Sequence, residues 1–411
     1  MPKVKSLETL KNKEFRNLLT GRVFMILAFR MLSTLLGWWV FTLTKDPFSI
    51  GLIGLSEVIP AVASAFYAGY IIDMNEKKRL LLTCCFAYLV LIGCLFVPSY
   101  LHNYQKISGY HTAYFIYGIV FFTGIARAFI GPLIPTMIPK IVNKESLPNA
   151  ITLNQATFLT SSVSGHALGG FSIASIGITK TLLVIVLLIC ASTCFFFFLR
   201  KQPSENIKSK NKVLSSIREG LSYIYKTKEI LGALCLDMFA VLFGGAVAMI
   251  VVYAQDILMV GALKYGLLNA AADIGSACII ITLSIVPLRK NQGKILIAAV
   301  AGFGLCIIGF GLSKVYWLSF LFLVLSGMLD GISVVIRGTI VQLKTPDRIR
   351  GRVLSVNSIF VMSSNEMGQF ESGLFARIFG TVKSVVIGGS LTVCIALATG
   401  IMNKKLRNME Y

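Results

Sequence analysis

The chain has 411 residues, of which 55% are hydrophobic and only 14% are charged, and its formal net charge is +21. Soluble domains carry about a quarter charged residues, and the polar stretches here are too short to bury a core of their own. The composition therefore excludes a soluble globular protein and predicts an integral membrane protein.

Apolar runs long enough to cross a bilayer recur along the whole chain. They predict twelve helices with mostly short loops, and the longest loop follows the sixth helix. The predicted spans are 17–44, 50–72, 80–100, 113–138, 150–176, 181–199, 230–253, 265–287, 295–312, 317–337, 353–379 and 384–402.

The basic residues divide unevenly between the two sides of these spans. The N-terminus, the C-terminus and the loops that follow even-numbered spans hold 29 of the 39 lysines and arginines, whereas each of the other six loops holds one. Because positive residues stay on the cytoplasmic side, this asymmetry predicts that both termini are cytoplasmic.

The turn after the second span combines an acid with a basic cluster. In "GYIIDMNEKKRLL" the acid Asp73 ends one span, and Lys77, Lys78 and Arg79 begin the next. An acid in this position can face a helix N-terminus or a cation, and Gly69 permits close helix approach. The alternative is that the cations only set the topology.

This stretch resembles the signature that the major facilitator superfamily has between its second and third helices. Met74 replaces the usual arginine and Glu76 replaces the usual second glycine. The acidic replacement is familiar in the branch that resembles the enterobactin exporter and the macrolide efflux transporters. The resemblance implies a gating motif made of Gly69, Asp73, Lys77, Lys78 and Arg79.

Further stretches are similar to motifs of the same family. "RAFIG" in the fourth span resembles a motif in which an arginine, here Arg127, points into the central cavity. "GHALGG" in the fifth span resembles an antiporter motif whose proline is replaced here by a histidine. Small residues there would let this helix pack tightly across the interface of the two halves, and ordinary helix packing is the alternative. The antiporter-like residues are Gly165, His166, Gly169 and Gly170.

The two halves of the chain contain similar stretches in the same order. "GLIGLSEVIP" at 51–60 matches "GLLNAAADIG" at 266–275, and 145–154 matches 347–356 more loosely. Two matches in the same order indicate an internal duplication.

We therefore predict an all-α membrane protein of the major facilitator fold, made of two pseudo-symmetric six-helix bundles. They comprise residues 1–199 and 230–411, and a basic cytoplasmic linker at 200–229 joins them. Duplicated bundles of this kind are typical of secondary transporters.

Several charges fall deep inside the predicted spans, where each costs at least about 2.5–3.5 kcal/mol. We predict that they form the substrate and proton pathway, and the alternative is static ion pairs that only orient helices. The deep charges of the first and fourth spans are cations and those of the seventh and tenth are acids, which suggests charge pairing between the halves or in the cavity that protonation breaks. These residues are Arg30, Glu57, Arg127, Asp237, Asp273, Asp330 and Glu366.

The sequence predicts proton-coupled efflux of a drug-like or siderophore-like small molecule by alternating access across the bacterial inner membrane. Direction and substrate class follow from the family resemblance. We expect a monomer with no cofactor, metal or nucleic acid, and no enzyme activity, since no Walker loop, G-x-S-x-G or H-E-x-x-H motif occurs. The alternatives are a lysophospholipid or lipid flippase of the same fold and a non-transporting membrane scaffold or sensor.

Overall fold

The structure is a computed structural model that describes residues 9–201, 212–286, 288 and 290–410. Within this part of the chain the regular elements are all helical. The helices are α1 (Lys13–Thr44), α2 (Pro47–Met74), α3 (Lys77–Cys94), α4 (Phe96–Asn103), α5 (Gly109–Ile141), α6 (Leu147–Phe197), α7 (Lys212–Lys226), α8 (Lys228–Gly244), α9 (Ala262–Ile285), α10 (Gln292–Leu312), α11 (Tyr316–Lys344), α12 (Asp347–Phe379), α13 (Thr381–Met402) and α14 (Lys404–Arg407).

The helices follow the predicted spans and extend a few residues past most of their ends. The third span falls on α3 and α4. The seventh falls on α8 and on short 3₁₀, α and π turns at Ala246–Met249, Ile250–Val252 and Tyr253–Ile257. The apolar runs thus predicted where the membrane helices lie. The short 3₁₀, α and π turns have no hydrophobic pattern of their own, so the sequence did not predict them separately.

Ten helices in the described part of the chain are long and apolar enough to cross a membrane. The difference from the predicted twelve has two causes. The stretch Lys144–Phe197 counts once although it contains two predicted spans, and α12 is absent from the ten although it has 33 residues. Since α12 carries many polar side chains, composition alone does not mark it as a span, and the count of twelve stays a prediction.

Helix α6 bends at Gly177, whose φ of 78° and ψ of 174° lie outside the helical range. Such backbone angles are essentially restricted to glycine. The hydroxyl of Thr181 donates a hydrogen bond to the carbonyl of Gly177 at 2.7 Å, so one backbone acceptor at the bend is satisfied by a side chain. The bend falls between the fifth and sixth predicted spans.

The chain forms two compact units. The N-terminal unit comprises Met1–Thr44 and Ile59–Ser209, and the C-terminal unit comprises Lys45–Val58 and Lys210–Tyr411. The first residues of α2 thus belong to the C-terminal unit, whereas the rest of α2 belongs to the N-terminal unit.

The N-terminal unit is organised around the contact of α1 with both parts of α6. A Cβ atom on Gly165 would lie 2.6 Å from the Cβ of Arg30, and one on Gly169 would lie 3.1 Å from the Cα of Met31. In the second part of α6, Ser192 donates to the carbonyl of Gly21 at 2.7 Å. Small residues therefore allow these backbones to approach closely, as is common in membrane bundles.

The C-terminal unit also packs through glycines. Gly275 of α9 and Gly327 of α11 lie directly against the partner backbone, and Gly304 of α10 would place a Cβ 2.8 Å from the carbonyl oxygen of Gly389 in α13. Helix α7 joins the core of this unit through the fully buried Ile224. Its other contacts are an ion pair between Glu219 and Arg352 and a hydrogen bond from Tyr223 to the carbonyl of Lys344.

The start of α2 packs against α12 within the C-terminal unit. A Cβ on Gly54 would lie 2.9 Å from the carbonyl oxygen of Glu366, and one on Gly373 would lie 3.0 Å from the backbone of Gly51. Beside this contact Arg377 lies 3.8 Å from Asp46. The shared glycines explain why these few residues of α2 group with the C-terminal unit.

Candidate functional site

A buried ion pair lies in the interior of the C-terminal unit. Asp237 of α8 and Arg337 of α11 form a salt bridge, and their side chains are only 7% and 8% exposed. Neither charge could be buried alone without a large desolvation cost, but the pair neutralises both. The salt bridge therefore fixes the two helices and holds one carboxylate deep in the apolar unit.

A narrow cavity lies beside this pair. Asp237 and Asp330 both line it, together with Ser333 and otherwise apolar side chains, and its volume of about 10 Å³ gives room for roughly one water molecule. The Ser333 side chain is buried and its hydroxyl has no hydrogen-bond partner among the described residues. Two carboxylates and an unsatisfied hydroxyl thus meet at a water-sized space.

Asp330 has a second acidic neighbour. It lies close enough to Asp273 of α9 for their charges to repel each other, and both side chains are half-buried. Three of the predicted pathway residues, namely Asp237, Asp273 and Asp330, therefore belong to one acidic cluster.

Arg337 was not predicted as a site residue. The predicted span ends at this residue, so it was assigned to the cytoplasmic loop that follows, but α11 continues to Lys344 and buries Arg337. In the structure the partner of Asp237 is thus a cation of the same unit. The sequence does contain a signal for this site residue, because Arg337 is an arginine next to a long apolar stretch. Since it is the last residue of the predicted span, it was interpreted as part of the loop.

Glu366 lies at the contact of α12 with the start of α2. Its Oε2 accepts a hydrogen bond from Gln369 at 2.8 Å and would lie 3.5 Å from a Cβ on Gly54. Glu57 follows one turn after Gly54 on α2 and is half-buried. These two predicted pathway acids thus belong to the α2–α12 contact, which is a different part of the C-terminal unit from the cavity.

The two predicted arginines of the N-terminal unit both contact aromatic rings. The guanidinium of Arg30 lies 5.6 Å from the ring centre of Phe158, and that of Arg127 lies 5.5 Å from the ring centre of Phe29. Both arginines are half-buried. Cation–π contacts of this kind orient a guanidinium without neutralising its charge.

The antiporter-like residues lie on the face of α6 that meets α1. His166 is buried, and its Nδ1 lies 2.8 Å from the hydroxyl of Thr34. Gly165 and Gly169 contact α1 of their own unit, and their place at the interface of the two halves stays a prediction. Gly170 is also buried. The structure therefore gives these residues a packing role within the N-terminal unit.

The predicted gating motif surrounds the junction of α2 and α3. Lys77 is buried, Arg79 is exposed, and the ammonium of Lys78 lies 5.2 Å from the ring centre of Phe197. A Cβ on Gly69 would meet no described atom within 4 Å, and the role of this glycine in close helix approach stays a prediction. The side chain of Asp73 lies outside the described residues, and its role in the motif stays a prediction.

Comparison with known proteins identifies the family. A family model described as "transmembrane secretion effector", from the major facilitator superfamily, matches residues 4–411. The chain belongs to this family.

Individual relatives agree with the family match. The enterobactin exporter EntS of Citrobacter koseri is 22% identical over 406 residues, which cover 96% of this chain and 93% of the exporter. EntS of Escherichia coli O1:K1 / APEC is also 22% identical over 406 residues, with the same coverage of both chains. The chain is thus similar to these exporters along nearly its whole length.

Solved structures share the fold. A crystal structure of a mutant of the nucleoside transporter NupG superposes with a TM-score of 0.78 at 14% identity and covers 95% of this chain and 100% of that chain. The D-xylose–proton symporter superposes with a TM-score of 0.70 at 13% identity and covers 98% and 99%. Together with the helical structure, these comparisons establish a multi-pass membrane transporter of the major facilitator fold.

The site residues of this major facilitator protein differ in the chemistry available to them. Carboxyl groups inside membrane helices can take up and release protons, and the acidic cluster offers three of them, two of which line a water-sized cavity. The arginines of the N-terminal unit offer fixed positive charge and hydrogen-bond donors. No group of three or more His, Cys, Asp or Glu in the described chain is arranged to hold a metal ion.

Proposed function

We propose that this protein is a proton-coupled exporter of a drug-like or siderophore-like small molecule in the bacterial inner membrane, working by alternating access as a monomer. Twelve spans with cytoplasmic termini are part of the proposal. The observation that carries it is the acidic cluster of the C-terminal unit, where Asp237 and Asp330 line one cavity and Asp273 lies close to Asp330.

The cluster supports proton coupling because its members have different partners. Asp237 forms a salt bridge with Arg337. Asp330 has an acidic neighbour instead, and a proton taken up by Asp330 would remove the repulsion between them. A water in the cavity would then reach Asp330 and the hydroxyl of Ser333 and connect them. Loading and release of one proton would thus change the charge inside the C-terminal unit.

The relatives support the direction and class of transport. Proteins named as enterobactin exporters match almost the entire chain, and one structural neighbour is named as a proton symporter. We therefore propose export of a drug-like or siderophore-like small molecule, and we assign the proton as coupling ion from the chain's own acidic cluster.

The proposal is tested in proteoliposomes that contain a pH-sensitive dye. A panel of siderophores including enterobactin, macrolides and lysophospholipids is added to wild type, Asp330→Asn and the control Asp256→Asn. Asp256 is an exposed acid of the same unit outside the cavity. We expect a siderophore or a macrolide to cause proton movement in wild type and in the control, and Asp330→Asn to lose it.

Other outcomes would overturn parts of this proposal. Equal proton movement in Asp330→Asn would remove the cluster from the coupling path. Transfer of lysophospholipids without proton movement would favour the lipid flippase. If folded protein responds to no compound, a scaffold or sensor becomes the better account.

A further inference from the structure

The interior charges of the N-terminal unit are all positive. Among its described residues, the charged side chains more than two turns from a helix end or from the Gly177 bend are Arg22, Arg30 and Arg127. A charge inside a membrane span is costly unless it has a partner or a function. The partners of these arginines therefore indicate what the unit binds.

Arg30 has an aromatic partner but no anionic one. Its guanidinium contacts the ring of Phe158 and makes no hydrogen bond or ion pair with another described residue. The side chain is half-buried. A guanidinium has five hydrogen-bond donors in a planar fork that matches a carboxylate. Arg30 is thus oriented by Phe158 while its donors remain available.

A second unsatisfied group lies on the same face of α6 as Phe158. Asn154 precedes Phe158 by four residues, which places the two side chains next to each other on the helix. The Asn154 side chain is more than nine-tenths buried, and its Oδ1 has no hydrogen-bond partner among the described residues. Because rotation of the amide exchanges its oxygen and nitrogen, Asn154 can offer either an acceptor or a donor.

The register of α1 on α6 agrees with this arrangement. Gly169 packs at Met31 and Thr34, and Gly165 packs one turn earlier at Leu27 and Arg30, so the two helices run side by side in the same direction. Arg30 thus lies on the face of α1 that packs against α6, the helix that carries Asn154 and Phe158.

We propose that Arg30, Asn154 and Phe158 form a binding site for an aromatic organic anion. Its carboxylate binds the guanidinium of Arg30, its ring packs against Phe158, and Asn154 binds a further polar group. This inference names the substrate class and rests on the proposed transport function. An anionic lipid offers the same headgroup charge, and we assign the site to a water-soluble aromatic carboxylate because an aromatic ring lies beside the cation.

Equilibrium binding of radiolabelled naphthoate to the purified full-length protein in detergent tests this site. We expect Arg30→Gln to weaken binding about tenfold or more, since it removes a charge-assisted bidentate contact. Phe158→Leu keeps an apolar side chain but removes the ring, and we expect it to weaken binding about threefold. The matched control is Arg16→Gln, an exposed arginine of the same helix, which should bind as wild type does.

Competition on the wild-type protein keeps the test decisive if Arg30→Gln does not fold. Unlabelled naphthoate should compete strongly, cyclohexanecarboxylate weakly, and naphthylmethanol and naphthylmethylammonium least. No saturable naphthoate binding, equal competition by the ammonium compound, or displacement by lysophosphatidylglycerol alone would each overturn the proposal.

One further comparison separates this site from proton coupling. Naphthoate binding and proton movement are measured on the same preparation of wild-type protein. If wild type binds naphthoate with the predicted specificity but moves no protons with any compound, the anion site stands and the coupling mechanism fails. If wild type moves protons with a siderophore or a macrolide but shows no saturable naphthoate binding, the anion site fails and the coupling mechanism stands.

Discussion

Asp237 and Arg337 stabilise the C-terminal unit only as a pair. Removal of one partner leaves a buried charge without compensation, so we expect Asp237→Ala to destabilise the protein by about 3–5 kcal/mol. The double variant Asp237→Leu/Arg337→Met removes both charges and should recover most of that loss. Thermal unfolding of the single and double variants in detergent measures both effects.

The exposed acid Asp256 again provides the control, and Asp256→Ala should unfold as wild type does. If Asp237→Ala unfolds at the wild-type temperature, the ion pair does not contribute to stability. If the double variant is no more stable than the single one, the loss comes from packing around Asp237 and not from an uncompensated arginine.

Some residues of the acidic cluster could be predicted from the sequence, but their contacts could not. Deep acids such as Asp330 and Asp273 are visible because a charge interrupts an apolar run, but their proximity depends on how α9 and α11 pack. Ser333 gave no signal, since serines are common in membrane helices. Its importance follows only from its burial at the cavity without a partner.

At the scale of single elements, the bend of α6 depends on one glycine. Any other residue at the φ of 78° found at Gly177 is strained by about 1–3 kcal/mol. We therefore expect Gly177→Ala to lower the free energy of unfolding by that amount, as measured by thermal unfolding. The neighbouring exposed residue Ile176 supplies the control, because Ile176→Ala leaves the backbone unstrained. Equal stability of both variants would argue against a bend at this position.

The packing of the start of α2 on α12 gives a second prediction at this scale. Gly54→Val introduces a side chain where the carbonyl oxygen of Glu366 lies 2.9 Å from the Cβ position. Overpacking of this kind costs about 1–3 kcal/mol, and we expect reduced thermal stability. Gly118→Ala is the control, since a Cβ there meets no described atom within 4 Å. A Gly54→Val protein as stable as the control would show that the two helices are not in close contact.

On the scale of the whole molecule, the hydrophobic pattern located nearly every helix but not every boundary or partner. Apolar runs define spans directly, whereas the kink of α6 at Gly177 and the extension of α11 past Arg337 depend on local backbone geometry and on a buried ion pair. The assignment of Lys45–Val58 to the C-terminal unit likewise follows from glycine contacts with α12. Such contacts join residues far apart in sequence, and a single sequence does not record them.

The predicted topology can be tested at Lys180, three residues after the Gly177 bend. If α6 contains two spans, Lys180 lies in an outer loop and a cysteine there should react with a membrane-impermeant maleimide added to intact cells. All nine native cysteines are first replaced so that the reaction reports this position. Asn143, on the predicted cytoplasmic side, is the matched control, and a cysteine there should react only after the cells are permeabilised. Labelling of both positions from the same side would contradict the twelve-span topology.

Proton-coupled export is the central claim, and accumulation in everted membrane vesicles tests it most directly. The vesicles are energised acid inside, and uptake of a labelled siderophore or macrolide is followed with and without a proton ionophore. We predict accumulation above the level of vesicles lacking the protein, its collapse on addition of the ionophore, and its absence in Asp330→Asn. Accumulation that persists with the ionophore, or that Asp330→Asn retains in full, would contradict the account.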